Sequence, residues 1–255
     1  MMRAQRVGIL YGWMWLKQGL WLFKRNPFLW MFLTSILVVG MAGIAMLPVL
    51  GQLALSVLFP AFFAGFMLGC HALAEEKPLE PAHLFAGFRL HGTPLISLGV
   101  IGTVLKLIIV GLLLLGGGSE LLHLIASGQQ PPNPEQALEH AFRQAGVTLP
   151  IVFILSMVLQ TAIPFAAMLI MFRAAPPVPA LLAALRAVLL NLLPLLVYGL
   201  MILPFAILAS LPYMLGWIVL LPILITSQYA IYRDMFPMAG DLARSAGQGE
   251  PPAAG

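Results

Sequence analysis

Charged side chains are scarce in this chain, and the places that lack them are as informative as the places that carry them. Asp, Glu, Lys and Arg make up 9% of the 255 residues, against about a quarter in a soluble domain. Hydrophobic residues make up 61%, and mean hydropathy is +0.98. That leaves too little polar surface to cover a water-soluble globule. Carboxylates are absent from every long apolar run. This argues against an ion-coupled transporter, because intramembrane ion pathways ordinarily carry an acidic residue. The single cysteine, Cys70, excludes an intrachain disulfide and reads as a small buried apolar residue. There is no Gly-rich phosphate loop, nucleophile elbow, HExxH or CxxC, so the sequence carries no local signature of those chemistries and calls for no metal or cofactor. The net charge of +4 is no nucleic-acid signal, since the 13 basic residues are dispersed beside apolar spans.

What is abundant is apolar length. Asn26 to Ala74 is an uncharged run of 49 residues, and Ala187 to Tyr232 is another of 46. A helical crossing takes about 20 residues, so each run holds two spans. Leu47-Pro48-Val49-Leu50-Gly51 divides the first run and Ser210-Leu211-Pro212 the second. Two further spans fit between them. The sequence therefore predicts an all-α, polytopic transmembrane helical bundle with six spans, at about 28–48, 52–74, 95–115, 149–172, 187–209 and 212–232. They form a single integral membrane domain over residues 1–238, followed by a disordered cytoplasmic tail at 239–255. Continuous apolar runs favour helices over barrel strands, which alternate.

Basic residues orient the bundle. Arg3, Arg6, Lys17, Lys24, Arg25, Lys77, Arg89, Arg173, Arg186, Arg233 and Arg244 fall on one side, and Arg143 falls on the other. The positive-inside rule then places both termini in the cytoplasm. The expected surroundings are the lipid bilayer, with a protein partner or a homo-oligomer as a further possibility.

The N-terminal segment imitates a signal peptide, but bases follow it where a small-residue cleavage site belongs. As a helix it groups Trp13, Leu16, Leu20 and Phe23 on one face and Lys17 and Lys24 on another. This predicts an interfacial helix with Trp13, Trp15 and Trp21 at headgroup depth and with Lys17, Lys24 and Arg25 drawn to anionic lipid.

An internal pattern runs through the spans. Each of three helical hairpins is introduced by an amphipathic segment with basic residues and by a proline where the span begins, as in Pro94-Leu95 and Pro194-Leu195. Its return span then carries Pro60, Pro164 or Pro222. Three such hairpins around a shared centre would place a site at their interfaces.

Lys106 breaks the loop pattern, lying inside the third span. A lysine at that depth costs about 2.5–3.5 kcal/mol on insertion scales. It is either tolerated, with its ammonium drawn toward water, or used to bind an anionic group. Gln160, Asn191 and Gln228 complete a candidate substrate-binding set, although such residues commonly serve as interhelical hydrogen-bond partners. His71 and His83 with nearby glutamates match no metal spacing. Glu120, His123, Glu135, Glu139 and His140 on the outer segment are at most a weak divalent-ion site and more plainly a solvated face.

Several stretches together carry a resemblance: Trp15-Leu16-Lys17-Gln18-Gly19-Leu20-Trp21-Leu22-Phe23 with Asn26-Pro27, Pro60 to His71, His83-Leu84-Phe85-Ala86-Gly87-Phe88, and Ser227-Gln228-Tyr229 leading to Tyr232-Arg233-Asp234-Met235-Phe236. The chain resembles a family of uncharacterised proteobacterial six-span inner-membrane proteins. It is more distantly similar to the membrane domain of some glycerophosphodiester phosphodiesterases. The resemblance implies six spans and an inner membrane, and it transfers no catalytic residue. Two functions compete. One is a non-enzymatic membrane scaffold or envelope-homeostasis factor that binds protein or lipid. The other is a transporter or channel for a small or amphipathic solute, with Lys106 in a central cavity. A membrane-embedded enzyme is the third reading, and it lacks the convergent His, Asp or Glu it would need.

Overall fold

A computed structural model describes residues 4–9, 11–127 and 133–237. Every regular element among them is helical. The elements are α1 (Tyr11–Arg25), α2 (Pro27–Ala45), α3 (Leu50–Ala74), a 3-10 turn (Pro81–Phe85), α4 (Ala86–Leu115), α5 (Ser119–Ser127), α6 (Pro134–Ala145), α7 (Thr148–Arg173), α8 (Pro177–Leu190), α9 (Leu192–Ser210) and α10 (Trp217–Met235). The expected tail at 239–255 lies outside the described residues.

Five helical segments are long and apolar enough to cross a bilayer: Pro27–Ala45, Leu50–Ala74, Pro81–Leu115, Thr148–Arg173 and Leu192–Ser210. The expected sixth, at 212–232, is not among them. Its helix starts later, at Trp217, because Leu211 to Gly216 form the turn. It also runs on through the polar Tyr232-Arg233-Asp234. The expected fifth span also changes. The uncharged run from Ala187 begins inside α8, and the chain breaks at Asn191 (φ −117°, ψ 25°) before α9. Pro194 has no N–H to offer the carbonyl of Leu190, so a straight helix cannot pass this point. The third span bends for the same reason: His91 (φ −138°, ψ 40°) precedes Pro94 inside α4. At the first span Asn26 is the break. Its Oδ1 accepts the Leu29 N–H at 3.4 Å and Pro27 opens α2, the preferred chemistry for a helix start.

Packing is uneven along the bundle. At the ends that carry Arg25, Arg173 and Arg233, the interior is dense. Met67 and Cys70 of α3, Phe165 to Ile170 of α7, and Ile231, Tyr232 and Met235 of α10 are fully buried. Trp15 and Trp30 fill the remaining volume. Toward the opposite ends, Ile36, Val38 and Val39 of α2, Phe153 to Leu155 of α7, and Leu203, Phe205 and Ile207 of α9 are exposed. Lipid tails are as apolar as leucine, so cohesion here comes from close packing and polar contacts rather than from escape from water.

Three amphipathic segments lie along three long helices. The 3-10 turn and the start of α4 pack on α3, α8 packs on α7, and α1 packs on α10. Glycine permits two of these approaches. A Cβ at Gly87 would collide with the Ala61 carbonyl of α3, and one at Gly19 with Ser227 and the Ile223 carbonyl of α10. Both carbonyls belong to the residue that follows a helix proline, Pro60 or Pro222. The most extensive helix contact joins α3 to α4, whereas α9 and α10 meet sparingly.

Candidate functional site

Lys106 lies on α4 and reaches α3, where its Nζ donates to Ser56 Oγ at 3.2 Å. Ser56 stands one turn before Pro60, within the loosely packed half of α3. On its other side Lys106 borders an open groove of about 590 Å³ between α4 and α7. Val110 and Phe153 give the groove apolar walls, while Ser156, Gln160 and Thr161 of α7 face the lysine across it. Thr161 Oγ1 is already committed to the Met157 carbonyl at 2.8 Å, a common way for a membrane helix to satisfy a hydroxyl. Gln160 is exposed. The groove thus offers one cation, an amide and the Ser156 hydroxyl in a mainly apolar wall.

The other two expected members of this set are elsewhere. Asn191 is fully buried at the α8–α9 break. Its Oδ1 accepts the Val7 N–H at 2.8 Å, and its Nδ2 donates to the carbonyls of Gln5 and Ala187, both at 3.0 Å. It pins the N-terminal strand of chain to the bundle and has no exposed surface for a substrate. Gln228, half-buried on α10, does not line the groove.

The interfacial set divides in the same way. Trp13 and Trp21 are exposed, as are Lys17, Lys24 and Arg25. Lys17 Nζ sits 5.3 Å from the Trp13 ring and the Arg25 guanidinium 4.1 Å from the Trp21 ring, so each base is held over an indole one turn away. Trp15 is not interfacial. It is completely buried, and its Nε1 donates to Asp234 Oδ2 at 2.7 Å. The buried face of α1 is Gly12, Trp15, Leu16, Gly19, Leu22 and Phe23, which leaves Trp13 and Leu20 outside. The glycines decide this rotation, because they let the backbone of α1 approach α9 and α10 closely.

A second constellation joins the packed ends of α3, α7 and α10. His71 Nδ1 and Tyr229 OH are 2.8 Å apart, His71 Nε2 is 3.4 Å from Glu75, and Phe172 stacks edge-on to both rings. Arg173 donates to the carbonyls of Phe236 and Pro237 at 2.9 and 3.1 Å, which ties α7 to the end of α10. No group of three or more His, Cys, Asp or Glu capable of holding a metal ion occurs among the described residues. On the outer segment His140 pairs with Glu120 at 2.8 Å and Arg143 with Glu139 at 2.7 Å.

No family model matches the chain, and no solved structure matches it. A curated protein of Burkholderia thailandensis, described as a probable inner membrane protein, is 28% identical over 257 residues, which cover 92% of this chain and 94% of that protein. The chain is therefore similar along almost its whole length to a probable inner membrane protein, and its own helices include several of membrane-spanning length.

Proposed function

We propose that this is a multi-pass inner-membrane protein that holds an acidic amphiphile, such as an anionic lipid or a fatty acid, against Lys106 as a non-enzymatic membrane scaffold. The observation that carries this reading is the groove itself. An ammonium with a single hydroxyl contact borders an open, mainly apolar channel between α4 and α7. A carboxylate or phosphate beside Lys106 would offset the cost of placing that charge in the membrane, and an acyl chain would cover the apolar walls. Purification in native lipid followed by mass spectrometry of the bound amphiphiles tests it. Lys106→Met should lose an acidic species that the parent protein retains. Identical bound material in both would remove the proposal.

The same reading uses six spans arranged as three hairpins, with both termini cytoplasmic. Support comes from the one-sided distribution of bases and from the three amphipathic segments lying on α3, α7 and α10. In a Cys70→Ala background, cysteines placed at His123 and Ala243 should label from opposite sides of the membrane. Labelling from one side would overturn the six-span topology. A second reading, transport of the amphiphile, draws on the sparse packing of the half of the bundle that bears the groove. In that case Lys106→Met abolishes uptake while expression and folding persist.

A further inference from the structure

A second pocket, separate from the Lys106 groove, lies where α1 crosses α10 beside the end of α3. It holds about 400 Å³ and is lined by Gln18 and Trp21 of α1, Ala74 of α3, and Tyr229, Arg233 and Asp234 of α10. That is within the usual range of small-molecule sites, about 300–1,000 Å³. Three features fix the chemistry of a ligand. Arg233 and Asp234 bring one charge of each sign to the same lining. Trp21 adds an indole whose ring already attracts a cation, the Arg25 guanidinium at 4.1 Å from its centroid. The position is that of a membrane–water boundary: Trp13 and Trp21 are exposed on α1, and Lys17, Lys24 and Arg25 are exposed beside them.

We infer that this pocket binds a zwitterionic phosphoethanolamine headgroup. The phosphodiester lies against the Arg233 guanidinium and the Gln18 amide, since hydrogen bonds between arginine and phosphate are charge-assisted and strong. The primary ammonium lies against the Asp234 carboxylate and the indole of Trp21. Asp234 Oδ2 accepts the Trp15 indole N–H at 2.7 Å, and a carboxylate has further lone pairs for an ammonium donor. Both Arg233 and Asp234 also keep contacts within the protein, which hold the two charges in place. A glycerol headgroup brings no cation to the Asp234 carboxylate, and a quaternary choline has no N–H to donate to it. The preference is therefore for ethanolamine over both.

The test uses the full chain carrying Lys106→Met, so that acidic lipid held in the groove is not counted; it is delipidated in detergent and incubated with an equimolar mixture of phosphatidylethanolamine, phosphatidylglycerol and phosphatidylcholine, with bound lipid counted by native mass spectrometry. Phosphatidylethanolamine should be retained about tenfold over each of the others, and Arg233→Gln and Asp234→Asn should each lower that retention about tenfold, the effect of one charge-assisted hydrogen bond. Asp234→Asn keeps an acceptor for the Trp15 indole. Should that variant fail to fold, the half-exposed Arg233→Gln decides the matter alone. Soluble phosphoethanolamine at millimolar concentration distinguishes the sources. Competition shows that the free headgroup suffices, and continued lipid binding without competition identifies the intact lipid as the ligand. Equal retention of phosphatidylglycerol or phosphatidylcholine would overturn the inference, as would wild-type binding by a folded Arg233→Gln.

Discussion

Replacing Asn191 by alanine decides whether that residue serves the fold or a ligand. The side chain is fully buried, and it joins the chain's first residues to the α8–α9 break through the Val7 N–H and the Gln5 carbonyl, at 2.8 and 3.0 Å. The Ala187 carbonyl is less exposed to loss, because the backbone N–H of Asn191 also bonds it at 3.0 Å. Two groups are therefore left without partners. Each lost bond removes about 1 kcal/mol, and a buried group that stays dry costs about 1–3 kcal/mol. The sum is about 2 kcal/mol if water reaches both groups and about 4 kcal/mol if neither is wetted. For a chain of this size that lowers the unfolding midpoint by about 4–16 °C. Asn191→Asp should be no milder, because it turns a buried carboxylate toward the Gln5 carbonyl. Tryptophan fluorescence in detergent reports the midpoint, and limited proteolysis reports whether residues 4–9 have come free. An unchanged midpoint with unchanged protection of the N-terminal residues would refute the reasoning. A ligand contact would behave differently, changing the bound material while leaving the midpoint in place.

Trp15→Phe keeps the ring against Tyr198, now 6.0 Å away edge-on, but loses the indole donor to Asp234. The expected loss is about 1.5–3 kcal/mol, the contribution of a hydrogen bond to a charged group, read as a lowered midpoint, and no change would show that the bond contributes nothing. Gly19→Val forces a side chain into Ser227 and the Ile223 carbonyl, with an expected loss of about 1–3 kcal/mol or more. Gly40→Val, which meets nothing within 4 Å, is the neutral comparison, and similar midpoints for the two variants would contradict the close crossing of α1 and α10. Cys70 is completely buried, so a maleimide should label it only as the protein unfolds. Rapid labelling of the folded chain would mean that the packed end of the bundle opens.

Composition and hydropathy made the helical membrane class legible, because continuous apolar length has few other uses. The points of bending were partly legible. Pro94 and Pro194 mark where α4 and the α8–α9 pair break, but the break itself falls earlier, at His91 and Asn191. A proline disrupts the turn that precedes it, so reading the third span from Pro94 forward sets its start too late, whereas the fifth span, opened where the uncharged run begins at Ala187, starts too early because that run begins inside α8. The face of α1 was misread for a different reason. Hydropathy groups Trp13 and Leu20 with Leu16 and Phe23 on one face, yet Gly12 and Gly19, seven residues apart, define the buried stripe. In a membrane setting, close approach of backbones outweighs side-chain apolarity, so the small residues were the better guide. Of the candidate site, Lys106 and Gln160 were found by their polarity within an apolar run and do share a groove. Asn191 has the same signature and is structural. Polarity at depth marks a residue that must find a partner, and it does not distinguish a ligand from backbone.

The pocket at Arg233 was not legible because its parts come from opposite ends of the chain. What brings them together is the order of packing. The 3-10 turn folds back on the helix before it, α3, and α8 folds back on α7. Among the described helices, α1 packs instead on α10, the last of them. Backbone pairing extends this contact past the helices, since the Gln5 N–H donates to the Met235 carbonyl at 3.0 Å. A segment that is first in sequence is thereby held by one that is last among the described helices, and it cannot dock until the rest of the chain has entered the membrane. The polar bonds at Trp15, Thr226 and Asn191 therefore form late. Apolar contact alone would let α1 slide along any lipid-facing helix, whereas the two glycines, the indole–carboxylate pair and the amide of Asn191 are satisfied together in a single register. That register places Trp21 beside Arg233 and Asp234, so the same bonds that close the bundle also build the pocket.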